Sequence, residues 1–277
     1  MIVTALSISR SLLEELKLRP FAGRVLGRFE RACNLVDTDG RVIALTLPEV
    51  GNGPFSICIS GRPGCFESFS TRASATADPD NLSVGSWHID LKAAQIWQPR
   101  LVCPTQPLSL NPIIASIIQP YVDWPNVAEA GFAASRRLSE AATRLNRAIT
   151  QAESSETDKE VVAAASQLAG LGSGLTPAGD DFLVGVMAAL WLTGHHALLP
   201  KLANIAAPQT TALSAAFLRA AAQGEFIEPW HALAQALCAG EVETFRRAVE
   251  EVAQFGASSG RDALAGFTTT IRAKRLI

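Results

Sequence analysis

The sequence predicts an α+β protein, with an N-terminal, mainly antiparallel β domain followed by an α-helical bundle around one buried central helix. Three observations carry this reading. Residues 1–108 show period-two alternation broken by frequent turn signals. From Asn126 the chain becomes alanine-rich with helical periodicity. Within that part, residues 182–192 are apolar on almost every side, the pattern of a helix with no solvent face. The expected domains are 1–108 (mainly β) and 109–277 (α-helical).

The elements follow in order. Asn34-Leu35-Val36 and residues 41–47 flank Asp37-Thr38-Asp39-Gly40, a hairpin turn. Gly53-Pro54 precedes residues 55–60, where Phe55, Ile57 and Ile59 share a face, and residues 61–64 turn the chain again. Asp78-Pro79-Asp80-Asn81 breaks the chain before a strand at 84–91, in which Trp87, Ile89 and Leu91 alternate with Ser86, His88 and Asp90. One polar face per strand indicates antiparallel pairing, in a small sheet or partly closed barrel. Residues 108–125, with Pro112, Pro120 and Pro125, read as a short helix between turns. Asn126 is placed to cap a helix running to about Glu153. Residues 154–157 link it to a helix at 158–169. Further helices are expected near 179–194, 197–206, 211–223, 229–239, 241–255 and 260–272. Gly194, Gly224, Gly240 and Gly256 stand where helices stop.

Composition limits the function classes. Of 277 residues, 48% are hydrophobic and 18% charged, which excludes a disordered chain. The net charge of -2 offers no basic excess for a nucleic-acid backbone. The five cysteines, Cys33, Cys58, Cys65, Cys103 and Cys238, form no C-x-x-C pair. They read as free thiols in a reducing compartment rather than a disulfide framework or zinc site. Glu14 and Glu15 stand where the apolar core of a signal peptide would lie. The longest uncharged apolar run, 182–194, is well short of the roughly 20 residues of a membrane span. The expected protein is soluble and cytoplasmic, with no nucleic-acid or membrane partner.

The chemistry concentrates in Gly172-Ser173-Gly174-Leu175-Thr176-Pro177-Ala178-Gly179-Asp180-Asp181-Phe182-Leu183. Two glycines two apart permit positive φ and close backbone approach to a ligand. Thr176-Pro177 reads as a cap followed by a first helical residue. The N-terminus of the all-apolar helix therefore presents free backbone N–H groups and a positive dipole end, an anion-binding arrangement. Asp180 and Asp181 favour the dipole but oppose a bound anion unless a metal ion, an arginine or a proton intervenes. A well-capped structural helix would share these features. The density of small and polar groups at one end of an apolar helix favours the binding reading.

A second segment repeats part of the pattern. Gly179-Asp180-Asp181-Phe182-Leu183-Val184-Gly185 and Gly260-Arg261-Asp262-Ala263-Leu264-Ala265-Gly266 share G-x-D-x-L-x-G. Each follows a small, polar loop, the second carrying Ser258-Ser259. Two such helix starts can converge on one site, with Gly185 and Gly266 allowing a close helix approach. Ser258, Ser259, Gly260 and Asp262 therefore join the candidates, and Arg261 is the nearest source of positive charge. Thr210, Thr211 and Ser214 read as cap and packing at a helix start. Asn34 reads as a turn residue, and His195-His196 as cations at a helix C-terminus. His88 and His231 have no Asp or Ser partner by spacing. Zincin, Walker and dinucleotide motifs do not occur.

Residues 172–183 resemble the hallmark Gly-x-Gly-Leu-Thr-Pro-x-Gly-Asp-Asp-Phe-Leu of a bacterial family long left uncharacterised and later named AllH-like. Ser258-Ser259-Gly260-Arg261-Asp262 resembles that family's later Ser-Ser-Gly-x-Asp element. The resemblance implies a subunit of oxamate carbamoyltransferase, encoded among allantoin (purine) catabolism genes. That enzyme interconverts oxalurate plus phosphate with oxamate plus carbamoyl phosphate. The implied partners are an FdrA-type subunit and a further carbamoyltransferase subunit.

The leading expectation is thus a carbamoyltransferase subunit that binds a small anionic substrate. Gly172, Ser173, Gly174, Leu175, Thr176, Gly179, Ser258, Ser259, Gly260 and Arg261 are its binding residues. Asp180, Asp181 and Asp262 are its catalytic candidates, orienting an amide nitrogen or a metal. No cofactor is firmly implied, and Mg²⁺ is the one left open. A non-catalytic module for an anionic metabolite and a Mg²⁺-dependent hydrolase are the alternatives.

Overall fold

The computed structural model of the chain describes residues 2–104, 111–122, 124, 132–151 and 155–273. It is α+β, a barrel-like sheet followed by a helical region. Two compact units divide it. The first holds Met1–Arg100 with Glu225–Glu228, and the second holds Leu101–Gly224 with Pro229–Ile277.

In the first unit, strand β1 (Ile2–Ser9) leads into helix α1 (Arg10–Leu18), which buries Leu12 and Leu16 one turn apart. Strands β2 (Phe21–Arg28), β3 (Ala32–Asp37), β4 (Val42–Thr46), β5 (Ser56–Ile59), β6 (Ser74–Ala77), β7 (Asn81–Val84), β8 (Trp87–Asp90) and β9 (Gln95–Trp97) follow. The order β5-β4-β3-β2-β6-β7-β8-β1-β9, with an added β5–β1 pairing, closes the sheet into a ring. Closure removes open edges that would otherwise invite association. The barrel core includes Ile8, Leu35, Leu45, Ile57, Phe66, Leu82 and Ile89, each at most 1% exposed. Burying each such side chain stabilises by about 1.5–3 kcal/mol.

The sheet differs from the expected one in three ways. It is mixed, since β1 runs parallel to β8 and β9, and β4 parallel to β5. β4 and β5 are buried at every position, so they show no polar face. The expected single strand 84–91 is the hairpin β7–β8, because Gly85 turns the chain at φ +55. The β3–β4 turn forms as expected. Asp37 Oδ1 accepts from the N–H groups of Asp39 and Arg41, and Oδ2 accepts from Arg41 Nε. Burial alone would raise the Asp37 pKa, but these donors hold it below the usual range. Asn34 is buried inside β3, opposite Ala44, and is not a turn residue. His88, expected to lack a partner, meets Ser83 across β7–β8 at 3.0 Å.

The second unit contains α2 (Pro112–Ile118), α3 (Phe132–Gln151), α4 (Ser155–Leu168), α5 (Ala178–Leu192), α6 (Leu199–Ala206), α7 (Ala212–Ala222), α9 (Val242–Ala253) and α10 (Ser259–Ala273). Between α7 and α9, α8 (Glu228–Ala239) opens at Glu228 of the first unit. Asn111 caps α2 by accepting from Ile114 N at 2.9 Å. The expected cap Asn126 and the helix end at Glu153 lie outside the described residues. The expected linker 154–157 is helical from Ser155. Gly194, Gly224, Gly240 and Gly256 have positive φ just past helix ends, as the stop reading requires. The apolar run becomes α5, with twelve buried positions, Leu183, Val186, Met187 and Leu190 among them. It packs against α4, α6, α7 and α10. Among the described residues, no helix is long and apolar enough to cross a membrane.

Candidate functional site

The helices α5 and α10 begin side by side and cross at two glycines. A Cβ on Gly185 would stand 1.7 Å from the Ala263 carbonyl oxygen, and one on Gly266 would stand 1.9 Å from the Phe182 carbonyl oxygen. The two contacts are reciprocal, since Ala263 precedes Gly266 as Phe182 precedes Gly185. The first glycine of each motif behaves alike. Gly179 lies against the Leu168 carbonyl at the end of α4, and Gly260 against the Val252 carbonyl near the end of α9. The shared G-x-D-x-L-x-G is therefore a packing code. Each copy seats a helix start on the helix before it and lets the paired helix approach closely. In consequence Asp181 and Asp262 come together at one end of the pair, and the Thr176 and Ser259 hydroxyls join across it at 2.9 Å.

The loop before α5 departs from the expected cap. Pro177 occupies the N-cap position, with no side-chain cap bond, and its carbonyl accepts from Asp180 N at 2.9 Å. Thr176 therefore does not cap. A ψ of 140° at Pro177 keeps it outside the helix, and helical geometry starts at Ala178. Gly172 and Gly174 take φ of +131 and +90. Gly172 is packed, with a Cβ there reaching 2.6 Å from Ala178 N, whereas Gly174 faces open space. Gly172, Ser173 and Gly174 are exposed, while Leu175 and Thr176 are half-buried.

The three aspartates are buried to different ends. Asp180, 1% exposed, has both oxygens engaged. Oδ1 accepts from Gly170 N at 2.8 Å, and Oδ2 accepts from the Thr210 hydroxyl. Burial raises its pKa, and the donors from Thr210, Gly170 and Ser214 oppose that. Asp180 is thus a brace holding the loop to the start of α7. Asp181, 7% exposed, has Oδ2 buried with no hydrogen-bond partner among the described residues. Burial pushes its pKa well above the usual range, and the charges of Asp262 and Asp180 add to the push. The Ser259 and Thr176 hydroxyls pull the other way. Asp262, 8% exposed, accepts from the Trp124 indole N–H. Trp124 also stacks on Phe182, with centroids 4.5 Å apart.

Other expected residues fall around this knot. Ser258 accepts through its carbonyl from Asp262 N, and Gly260, in the first turn of α10, is buried against α9. Arg261 is exposed and lies near Tyr121, whose pKa is raised by burial and partly lowered again by the Arg261 charge. Among the described residues, no basic side chain counters Asp180 or Asp181. No group of three or more His, Cys, Asp or Glu is arranged to hold a metal there either.

Sequence reasoning set aside Thr210, Thr211 and Ser214, and passed over Trp124. Thr211 does cap α7, accepting from Ser214 N, but its hydroxyl also donates to Leu175 O. The signal for Trp124 is faint: a lone tryptophan in a proline-rich stretch that reads as a short helix between turns. His196 stacks on Trp191 at 4.4 Å, away from the aspartates in partner and contact.

Residues 168–271 match the family described as oxamate carbamoyltransferase subunit AllH, and residues 4–96 match the AllH family N-terminal domain. No solved structure matches the chain.

Proposed function

The chain belongs to the AllH family, and from that membership we propose that it is a subunit of a carbamoyltransferase-type enzyme, binding a small anionic substrate where α5 and α10 begin. One observation carries the placement. At the meeting of two helix starts, a nine-tenths buried carboxyl, Asp181, keeps one oxygen without a partner. Buried polar groups are rarely left so in a purely structural role. The exposed loop 172–174 and the N–H groups at the start of α10 offer donors for a carboxylate or phosphate. The same donors suit the oxyanion that develops when a carbamoyl carbon is attacked. The substrate is of the oxamate, oxalurate or carbamoyl phosphate kind. The catalytic assignments are Asp181 and Asp262 toward the substrate nitrogen, with Asp180 as the brace that sets them.

The scarcity of basic groups around the aspartates favours a site completed by partner chains. An FdrA-type subunit and a further carbamoyltransferase subunit are the proposed partners, in the cytoplasm and in allantoin breakdown. Within the chain, the β part and the helical part are proposed as separate domains, with the chemistry in the helical one. The test is reconstitution. The chain with its partners should form carbamoyl phosphate from oxalurate and phosphate, and omission of the chain or Asp181→Ala should abolish it. An Asp181→Ala complex with undiminished turnover would support a non-catalytic role instead.

A further inference from the structure

We propose that Asp181 is the specificity-determining residue of the α5–α10 site, a carboxylic acid that donates its O–H to the bound anion, so that anion and proton enter together. The inference rests on reading the α5–α10 junction as an anion site. It goes further in assigning the charge state that lets an anion into a ring of carboxyl groups.

The geometry makes the difficulty plain. Two helix starts contribute about half a positive charge each. Against them stand Asp180, Asp181 and Asp262. Asp180 is satisfied by Gly170 N–H and the Thr210 hydroxyl, and the Trp124 indole donates to Asp262. Asp181 Oδ2 is buried and without a hydrogen-bond partner among the described residues. The side chains acting on Asp181 are Asp180 from its own helix, Asp262 and Ser259 from α10, and Thr176 from the loop before α5. The charges that act on it most are those of Asp262 and Asp180. Arg261, also on α10, is exposed on the side of Tyr121.

An ionised Asp181 would therefore add a third negative charge with nothing basic beside it. As a neutral acid it has one O–H to donate to the anion and keeps a carbonyl oxygen to accept from a substrate nitrogen, and an unpartnered oxygen beside two helix starts is where an incoming anion would receive that O–H. Burial and the neighbouring carboxylates both favour that neutral form. The bound anion then favours the proton still more. Anion affinity is accordingly coupled to pH through this one group, by linkage.

The test uses the full chain and two anions that do not titrate near neutrality, oxamate and sulfate. Binding is measured by calorimetry from about pH 5 to about pH 9, in two buffers of different ionisation heat, for the wild type and Asp181→Asn. The wild type should lose about tenfold in affinity per pH unit once the free carboxyl begins to ionise, taking up as much as one proton per anion. The asparagine amide keeps a donor but cannot titrate, so the variant should bind with no such slope. A slope that persists in the variant overturns the proton-donor role and leaves the anion site standing. Wild-type affinity that is flat with pH, with no proton uptake, does the same, and that measurement needs no variant to fold. Binding of neither anion at millimolar concentration, at any pH, overturns the anion-site reading itself.

Discussion

Replacing either crossing glycine by alanine probes the arrangement on which the site depends. In Gly185→Ala the new methyl would lie 1.7 Å from the Ala263 carbonyl oxygen, and in Gly266→Ala it would lie 1.9 Å from that of Phe182. Ordinary carbon contacts need about 3.5–4.0 Å. Both obstacles are backbone atoms of packed helices, so no side-chain rotation relieves the clash and the helices must part. Overpacking of this kind costs about 1–3 kcal/mol. Alanine's better helix propensity offsets about 0.8–1.0 kcal/mol of that. Parting the helices also loosens the buried contacts of Phe182, Val186 and Phe267. The net loss should therefore be about 1–2 kcal/mol per variant, or a melting point lower by about 2–8 °C. The double variant is more telling. One separation accommodates both methyls, so the double should cost less than the sum, with a coupling of about 1 kcal/mol. Urea denaturation of the wild type, both singles and the double closes the cycle. A single variant as stable as the wild type, or strict additivity, would refute the reciprocal crossing.

Two further outcomes follow from individual contacts. Thr210→Val removes the hydroxyl that donates to Asp180 Oδ2, leaving a buried acceptor unpaired at about 1–3 kcal/mol. Asp180 already has a raised pKa, so stability tied to its protonation is complete in acid and lost as pH rises through the folded value. Losing Thr210 raises that pKa further, so the deficit in melting temperature should be larger at about pH 8 than at about pH 5. Thr210→Ser should restore it, and equal deficits at the two pH values would count against the brace. For the thiols, Cys33 is fully buried and burial pushes it up to about 12, whereas Cys238 is exposed. Maleimide should label Cys238 in the native protein, and Cys33 and Cys58 only in denaturant, as read by peptide mass spectrometry. Fast native labelling of Cys33 would contradict the barrel's packing.

Local chemistry made some of this protein readable from its residues. The run at 182–192 has no polar face, and only a buried helix accommodates that. Glycines at 194, 224, 240 and 256 end helices because the left-handed turn there suits a residue without Cβ. The repeated G-x-D-x-L-x-G could be seen as a pattern, and its aspartates as a pair, because they share a spacing within short helix starts. Distance along the chain hid the rest. Barrel closure depends on β1 meeting β5 and β8, strands remote from it in the chain, and such long-range pairings leave no turn signature to find. Thr210 reaches Asp180, and Trp124 reaches Asp262, only because packed helices bring remote segments together. Residue types alone could suggest that an acid beside a helix start is awkward. Whether that acid is braced, like Asp180, or left with an open oxygen, like Asp181, depends on partners supplied by tertiary packing, because desolvation and hydrogen bonding act through space.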